Sequence, residues 1–241
     1  MSGHSHAKTI KHDKEISDQK RGKLFSKLAR MISVAAKEKG GRPETNSALR
    51  MAIEKAREIN MPQENIERAI TRGTGEIEGG AQLEEVIFEA YGPGGIAIII
   101  EGITDNKNRA LGEIKQILNQ NGGKLVGEGA VKWMFERKGV IINIKNLTLS
   151  KEDLEMKAIE AGAADIYWHD DALDIYTKIE DLERVKKNLE SRGIKIGSTS
   201  LDWVPKEEAI ADEKIKEACQ KLFEALDEND SVQEIYSNLK I

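Results

Sequence analysis

The stretch from Val86 to Ile103, VIFEAYGPGGIAIIIEGI, decides how this chain is read. Val86, Phe88 and Ala90 recur at the two-residue period of a strand, and beyond Tyr91 an apolar run extends from Ile96 to Ile103. Gly92-Pro93-Gly94-Gly95 lies between them. Proline followed by glycine suits the central pair of a type II turn, so the two runs are expected to pair as a hairpin. The turn is not a phosphate loop: it lacks the Lys-Ser/Thr ending and runs into a strand instead of opening a helix.

Downstream, Asp105 or Asn106 can cap a helix carrying Leu111, Ile114, Ile117 and Leu118, which Asn121-Gly122-Gly123 terminates. A strand with Val131, Trp133 and Phe135 on one face is expected next. From Gly139 to Trp203 the pattern gives a strand (Val140 to Ile144), a helix (Lys151 to Ala161), strands at Asp165 to His169 and Leu173 to Thr177, a helix (Ile179 to Ser191) and a strand near Ser198 to Val204. This is a β-α-β-β-α-β unit, the ferredoxin-like split. The hairpin segment before it supplies only β-β-α-β. A helix (Glu208 to Leu226) and a strand (Ser231 to Tyr236) remain at the C-terminus, and a lone edge strand is unstable. The split unit is therefore expected to be inserted into a discontinuous domain.

Upstream the period is helical. Leu24, Phe25, Leu28, Met31, Ile32 and Ala35 mark a first helix that stops at Gly40-Gly41. Leu49, Ala52, Ile53, Ala56 and Ile59 mark a second, capped by Asn46 or Ser47 and ended before Pro62. Pro62 opens a short third, with Ile66, Ala69 and Ile70 inward and Gly73 as its expected stop. The expected fold class is thus α+β: an N-terminal three-helix domain (1–75), a middle α/β domain (76–138 plus 206–241), and an inserted ferredoxin-like domain (139–205).

Charge separates these parts. Up to Gly75 there are sixteen Lys or Arg against nine Asp or Glu, and beyond it twenty-one against thirty-three, beneath a net charge of -5. A basic third on an acidic remainder points to a polyanion, because Lys and Arg release counterions from a phosphate backbone. The basic residues are Lys8, Lys11, His12, Lys14, Lys20, Arg21, Lys23, Lys27 and Arg30, with Arg68 and Arg72 one turn apart on the third helix. Lys20, Lys23, Lys27 and Arg30 share one helix face, on which nearby acidic partners are scarce. Phe25 is the sole aromatic in this third and sits at a core position, so base stacking has no platform there. Phosphate contact with duplex or structured nucleic acid, DNA or RNA, is the expectation.

Other chemistry has little to stand on. His4, His6 and His12 lack companion ligands at metal spacing, and no nucleophile with a plausible base emerges, so no cofactor, metal or enzymatic activity is expected. Asp105, Asn106, Lys107, Asn108 and Arg109 gather polar groups at a helix start, where an anion or a partner would be welcome and where a plain cap is equally apt. Trp133, Trp168 and Trp203 fall in strand patterns and are expected in cores. Cys219 lies among Ile215, Ala218, Leu222, Phe223 and Leu226, as a buried helix face would place it. No run approaches a membrane span and the polar start lacks a secretory centre, so a cytoplasmic protein is expected, with oligomeric state open.

Eight blocks carry a resemblance over essentially the whole length: Gly3-His4-Ser5; Ile10-Lys11-His12 with Lys14; Arg21-Gly22-Lys23; Asn60-Met61-Pro62 with Asn65 to Ile70; Arg72 to Glu76; Tyr91 to Gly95; Thr104 to Arg109; and Phe135 to Gly139. In these the chain resembles the YebC family, bacterial and mitochondrial proteins known as probable transcriptional regulators, some of them ribosome-associated translational activators. The resemblance implies a helical N-terminal domain with two α/β domains around a cleft, and a binding role for Lys11, Lys14, Arg21, Lys23, Lys27, Arg68 and Arg72. It also implies two alternatives, a DNA-binding transcriptional regulator or a ribosome-associated factor that binds structured RNA. A small-ligand sensor acting through the ferredoxin-like domains is a third reading, and it comes from the residues. His6 and Ala7 stand where the family usually has lysine and tryptophan, and Asp13 where a basic residue is common, which weakens any role of the extreme N-terminus.

Overall fold

The computed structural model describes residues 18–75, 82–144, 149–169 and 172–240. Three helices open it: α1 (Asp18–Lys39), α2 (Ser47–Glu58) and α3 (Gln63–Thr74). Their joint is made by Asn46, fully buried, whose side chain accepts from Leu49 N to cap α2 and donates to the carbonyls of Ala35 and Gly40. One polar residue thereby satisfies orphan groups at the end of one helix and the start of the next. The core between the helices is Leu28, Ile32, Leu49, Ile53, Ala56 and Ile66 with their small neighbours.

Gly73 does not stop α3. The helix runs on to Thr74 and ends on Gly75 in the left-handed region (φ 78°). Gly73 instead lies against α1, where a Cβ would sit 2.2 Å from the carbonyl oxygen of Ser33. Its missing side chain allows the two helices to touch, and Ser33 Oγ donates to Ala69 O alongside.

The middle domain holds β1 (Glu84–Tyr91), β2 (Ala97–Thr104), α4 (Lys107–Gln120) and β3 (Lys124–Val126). After the insertion the chain returns with α7 (Glu213–Asp227) and β8 (Val232–Ser237). The sheet order is β3-β1-β2-β8, each pair antiparallel, with Phe88 opposite Ile100 and Ile100 opposite Ile235. Gly94, at φ 69°, takes the position of the hairpin turn that needs a positive φ. The unbroken apolar run from Ile96 to Ile100 has a simple cause, since both faces of β2 are covered there. Ile96, Ile98 and Ile100 pack under α4 and α7, while Ala97 and Ile99 meet Val131, Phe135 and Tyr236 on the other side. Cys219 is a core residue in the first of these layers, and burial pushes its thiol up to about 11.

The expected strand over Val131 to Phe135 is a turn followed by a strand. Glu89, buried on β1, accepts from the N–H groups of Gly129, Val131 and Lys132 at 2.6–2.8 Å and bends this segment into one 3₁₀ turn. Trp133 is consequently 66% exposed instead of core-packed, while Val131 and Phe135 remain buried. Burial works against the Glu89 carboxylate, but its three backbone donors prevail and hold its pKa below the ordinary range.

The inserted unit consists of β4 (Phe135–Ile144), α5 (Lys151–Ala161), β5 (Asp165–His169), β6 (Ala172–Thr177), α6 (Leu182–Ser191) and β7 (Ser198–Pro205). Its sheet order, β5-β6-β4-β7, is that of the split β-α-β fold. One core lies between the sheet and its two helices, built on Ile141, Leu154, Leu173, Ile175, Val185 and Leu189. β4 begins earlier than the sequence pattern suggests, because Phe135 to Lys138 pair with Asp202 to Pro205 as a two-stranded ribbon leading into the insertion. Trp203 packs on that ribbon, and half-buried Trp168 packs on the inserted core with its indole donating to Glu155.

Candidate nucleic-acid interface

The basic row of α1 is not open along its length. Its outer face meets the turn that joins α7 to β8. Lys23 Nζ donates to the carbonyl and the carboxylate of Glu228 (2.6 and 2.8 Å), and Lys27 Nζ to the carbonyl and carboxylate of Asp227 (3.1 and 2.6 Å). Arg30 donates to Asp230 O. Asp227 ends α7 and Glu228 caps it, so two lysines of one domain satisfy carbonyls at the negative end of a helix in another. Lys27 is nearly buried there, with its side chain 8% exposed. The expectation that acidic partners are scarce on this face is corrected: they arrive from some 200 residues further along the chain.

The turn itself is anchored. Asn229 donates to Glu113 on α4 and accepts from Ser231 N, and Ser231 O takes the N–H of Ile103. Gly102 lies so close to that carbonyl that a Cβ would approach it to 2.6 Å. The acceptors facing α1 are thus fixed to the middle sheet before any cation arrives.

The remaining cations named from the sequence divide into three groups. Lys8, Lys11, His12 and Lys14, and the side chain of Lys20, lie outside the described residues. Arg21 is exposed at the first turns of α1. Arg68 is exposed and paired with Glu64 one turn earlier at 2.7 Å, and Arg72 is exposed in the last turn of α3. The Gly73 contact brings the segment of α3 that carries this pair beside α1.

Asp105 to Arg109 form the start of α4 and are all exposed. Asn106 caps the helix by accepting from Arg109 N, while Arg109 pairs with Asp105 and Glu113. Through Glu113, which also accepts from Asn229, the cluster adjoins the acidic turn.

A second contact joins the helical domain to the inserted one. Arg50 on α2 meets Glu183 at 3.4 Å, and Glu54 meets Lys186 at 3.0 Å, with Met51 packed on the inserted core between them. Burial works against the Lys186 charge, but the hydrogen bond it donates to Glu54 and the nearby carboxylates hold its ammonium above the usual lysine range. A cleft of about 330 Å³ opens here, lined by Met51, Glu54, Arg57, Lys186, Ile196 and Thr199. Burial raises the Glu58 carboxyl at its edge. Among the described residues no cluster suited to a metal ion occurs, and no helix is long and apolar enough to cross a membrane.

Sequence reasoning missed Asp227, Glu228 and Asp230, whose part depends on long-range contact, and Glu89, which an alternating pattern would place on the outer face of β1. The one local signal is the end of α7, where three residues in four are acidic and a cation is favoured.

Comparison with known proteins agrees with this architecture. Residues 5–76 match the TACO1/YebC protein N-terminal domain, and residues 83–239 the TACO1/YebC second and third domain. A probable transcriptional regulatory protein of Caldanaerobacter subterraneus subsp. tengcongensis is 48% identical over 100% of this chain and 99% of its own length. One from Dehalococcoides mccartyi is 44% identical over 99% of this chain and 94% of its own. The crystal structure of a conserved hypothetical protein from Aquifex aeolicus superposes with a TM-score of 0.86 at 45% identity, covering 96% of this chain and 95% of that one. With all three domains matched in order, the chain belongs to the TACO1/YebC family.

Proposed function

We propose that this chain is a non-enzymatic regulator of gene expression whose helical domain holds DNA or structured RNA by its phosphates. The observation that carries this is the charge map: sixteen cations against nine acids up to Gly75, and twenty-one against thirty-three beyond it. Such a division concentrates attraction for a polyanion on one domain and repels the strand from the others. The relatives' name, probable transcriptional regulatory protein, supports a regulatory role over a catalytic one. Because Lys23, Lys27 and Arg30 are held by the acidic turn, first contact falls to Lys8, Lys11, His12, Lys14, Lys20, Arg21, Arg68 and Arg72. Asp105 to Arg109 act as a helix cap in this reading and not as a ligand site, since Asn106 is engaged as the cap and Arg109 pairs with Asp105.

Mobility-shift titration in rising salt tests the proposal. With about six phosphate contacts, log affinity for duplex DNA falls against log salt with a slope of about -5. The double variant Arg68→Glu, Arg72→Glu binds more weakly on every sequence and with a shallower slope. A chain that retards neither duplex nor hairpin RNA at low salt is not a nucleic-acid regulator of this kind. A face that reads phosphates suits both duplex DNA and folded RNA. Ribosome co-sedimentation against promoter retention in one lysate assigns the target.

A further inference from the structure

The docked face of α1 and a phosphate backbone make the same demand on Lys23, Lys27 and Arg30. We infer that the turn Asp227 to Asp230 is an internal competitor for nucleic acid, so that a strand engaging these three cations displaces the turn and parts the helical domain from the middle domain. The inference rests on the reading that the helical domain binds phosphates, and it adds how that site is gated.

Three observations carry it. The turn offers α1 what a phosphodiester offers: anionic oxygens on Asp227 and Glu228, and backbone carbonyl oxygens on Asp227, Glu228 and Asp230, all fixed in place by Asn229 and Ser231. Along Lys23, Lys27 and Arg30 the contact is polar, and among the described residues none of the apolar clusters combines side chains of the helical domain with side chains of the middle domain, with Val34, one turn beyond Arg30, the one buried apolar residue that continues the row. At these three cations the join is made by charge and hydrogen bonds, which another anion can replace. Finally, burial is graded along the row. Lys23 is 23% exposed and its partner Glu228 75% exposed, whereas Lys27 is 8% exposed and Asp227 36%. A strand therefore meets the Lys23 pair first and the Lys27 pair only as the domains separate.

Zero-length carbodiimide crosslinking of the full chain reads this directly, because it joins an ammonium to a carboxylate only when the two touch. In the free protein, peptide mass spectrometry should find Lys23 joined to Glu228 and Lys27 to Asp227, with Lys240 joined to Glu208 (3.2 Å) as an internal control. A short DNA duplex, or a hairpin RNA in a parallel arm, is expected to suppress the first two several-fold and to leave the control unchanged. The double variant Asp227→Asn, Glu228→Gln should bind the same probe more tightly by about threefold to tenfold, the size of two released ion pairs. If the probe binds by mobility shift while both crosslinks persist at full yield and the variant gains nothing, the docking is purely structural and the inference is overturned, with the nucleic-acid reading intact. If the probe does not bind at all, the nucleic-acid reading fails and this inference fails with it.

Discussion

The inserted domain and the helical domain are attached to the middle domain by opposite means. The insertion enters and leaves through a paired ribbon whose Phe135, with Trp203, packs against Ala97, Ile99, Val131 and Tyr236 on the outer face of the middle sheet. Polar groups are folded into that apolar junction. Trp203 Nε1 donates to Glu101, and Arg137 lies close to both the Trp203 and Tyr236 rings, its Nη1 2.7 Å from Glu101 in ion-pair contact. The helical domain instead meets the middle domain through Lys23, Lys27 and Arg30, with Lys37 donating to Leu83 O, and the inserted domain through two ion pairs around Met51. The first junction draws on apolar burial, which salt hardly weakens; the second draws on charge, which salt and polyanions screen or replace. Under the proposed function, a regulator that keeps its two α/β domains in register while its helical domain responds to a strand has use for this difference.

The apolar junction breaks most severely at Phe135. Its ring is buried at the point where ribbon and sheet meet, so Phe135→Ala should cost about 3–5 kcal/mol in urea unfolding, nearly the same at low and high salt. A loss below about 1 kcal/mol would mean that the ribbon is merely tethered.

Glu89 is expected to come next. Glu89→Gln replaces a carboxylate serving three N–H donors by an amide with one acceptor oxygen, a cost of about 1–3 kcal/mol. The pH dependence has a fixed sign. The folded pKa lies below the unfolded value of about 4.3, so this stabilisation is complete above that value and is lost as pH falls through the folded pKa. Wild type minus variant stability, followed downward from neutral pH, should therefore shrink in the acid range. A constant difference would show that the carboxylate charge has no part in holding the Gly129 to Met134 turn.

Much of this molecule was written locally. Each cap was readable to within one residue, Asn46 or Ser47 and Asp105 or Asn106, because the cap bond spans three residues, and the split sheet because its strands and helices alternate in short, regular periods. What stayed hidden depends on distant partners. Gly73 resembles a terminator until the Ser33 carbonyl of α1 is seen against it. Trp133 fits a strand face until Glu89 bends the backbone beneath it. The C-terminal helix, expected from Glu208, starts at Glu213 behind its cap Asp212, because Ala209 is engaged by Asn238 and Lys240 near the end of the chain. The docked cations were the largest omission. A helix wheel shows which residues share a face, but it does not show what that face will meet.

The smallest effects belong to the ionic joins, and their order tests whether burial grades them. Lys27 is nearly buried, so Lys27→Met removes one charge and leaves Asp227, one-third exposed, to rehydrate; the expected loss is about 1 kcal/mol at low salt. Arg50 and Glu183 are each about one-third exposed at 3.4 Å, and Arg50→Ala should cost only about 0.2–0.5 kcal/mol. Both losses should shrink in high salt, the Arg50 loss toward nothing and the Lys27 loss only in part, because a nearly buried ammonium is poorly screened. Urea unfolding of both variants at two ionic strengths checks the ranking. Equal losses with equal salt response would mean that the two joins are alike in strength, and that the acidic turn has no special hold on α1.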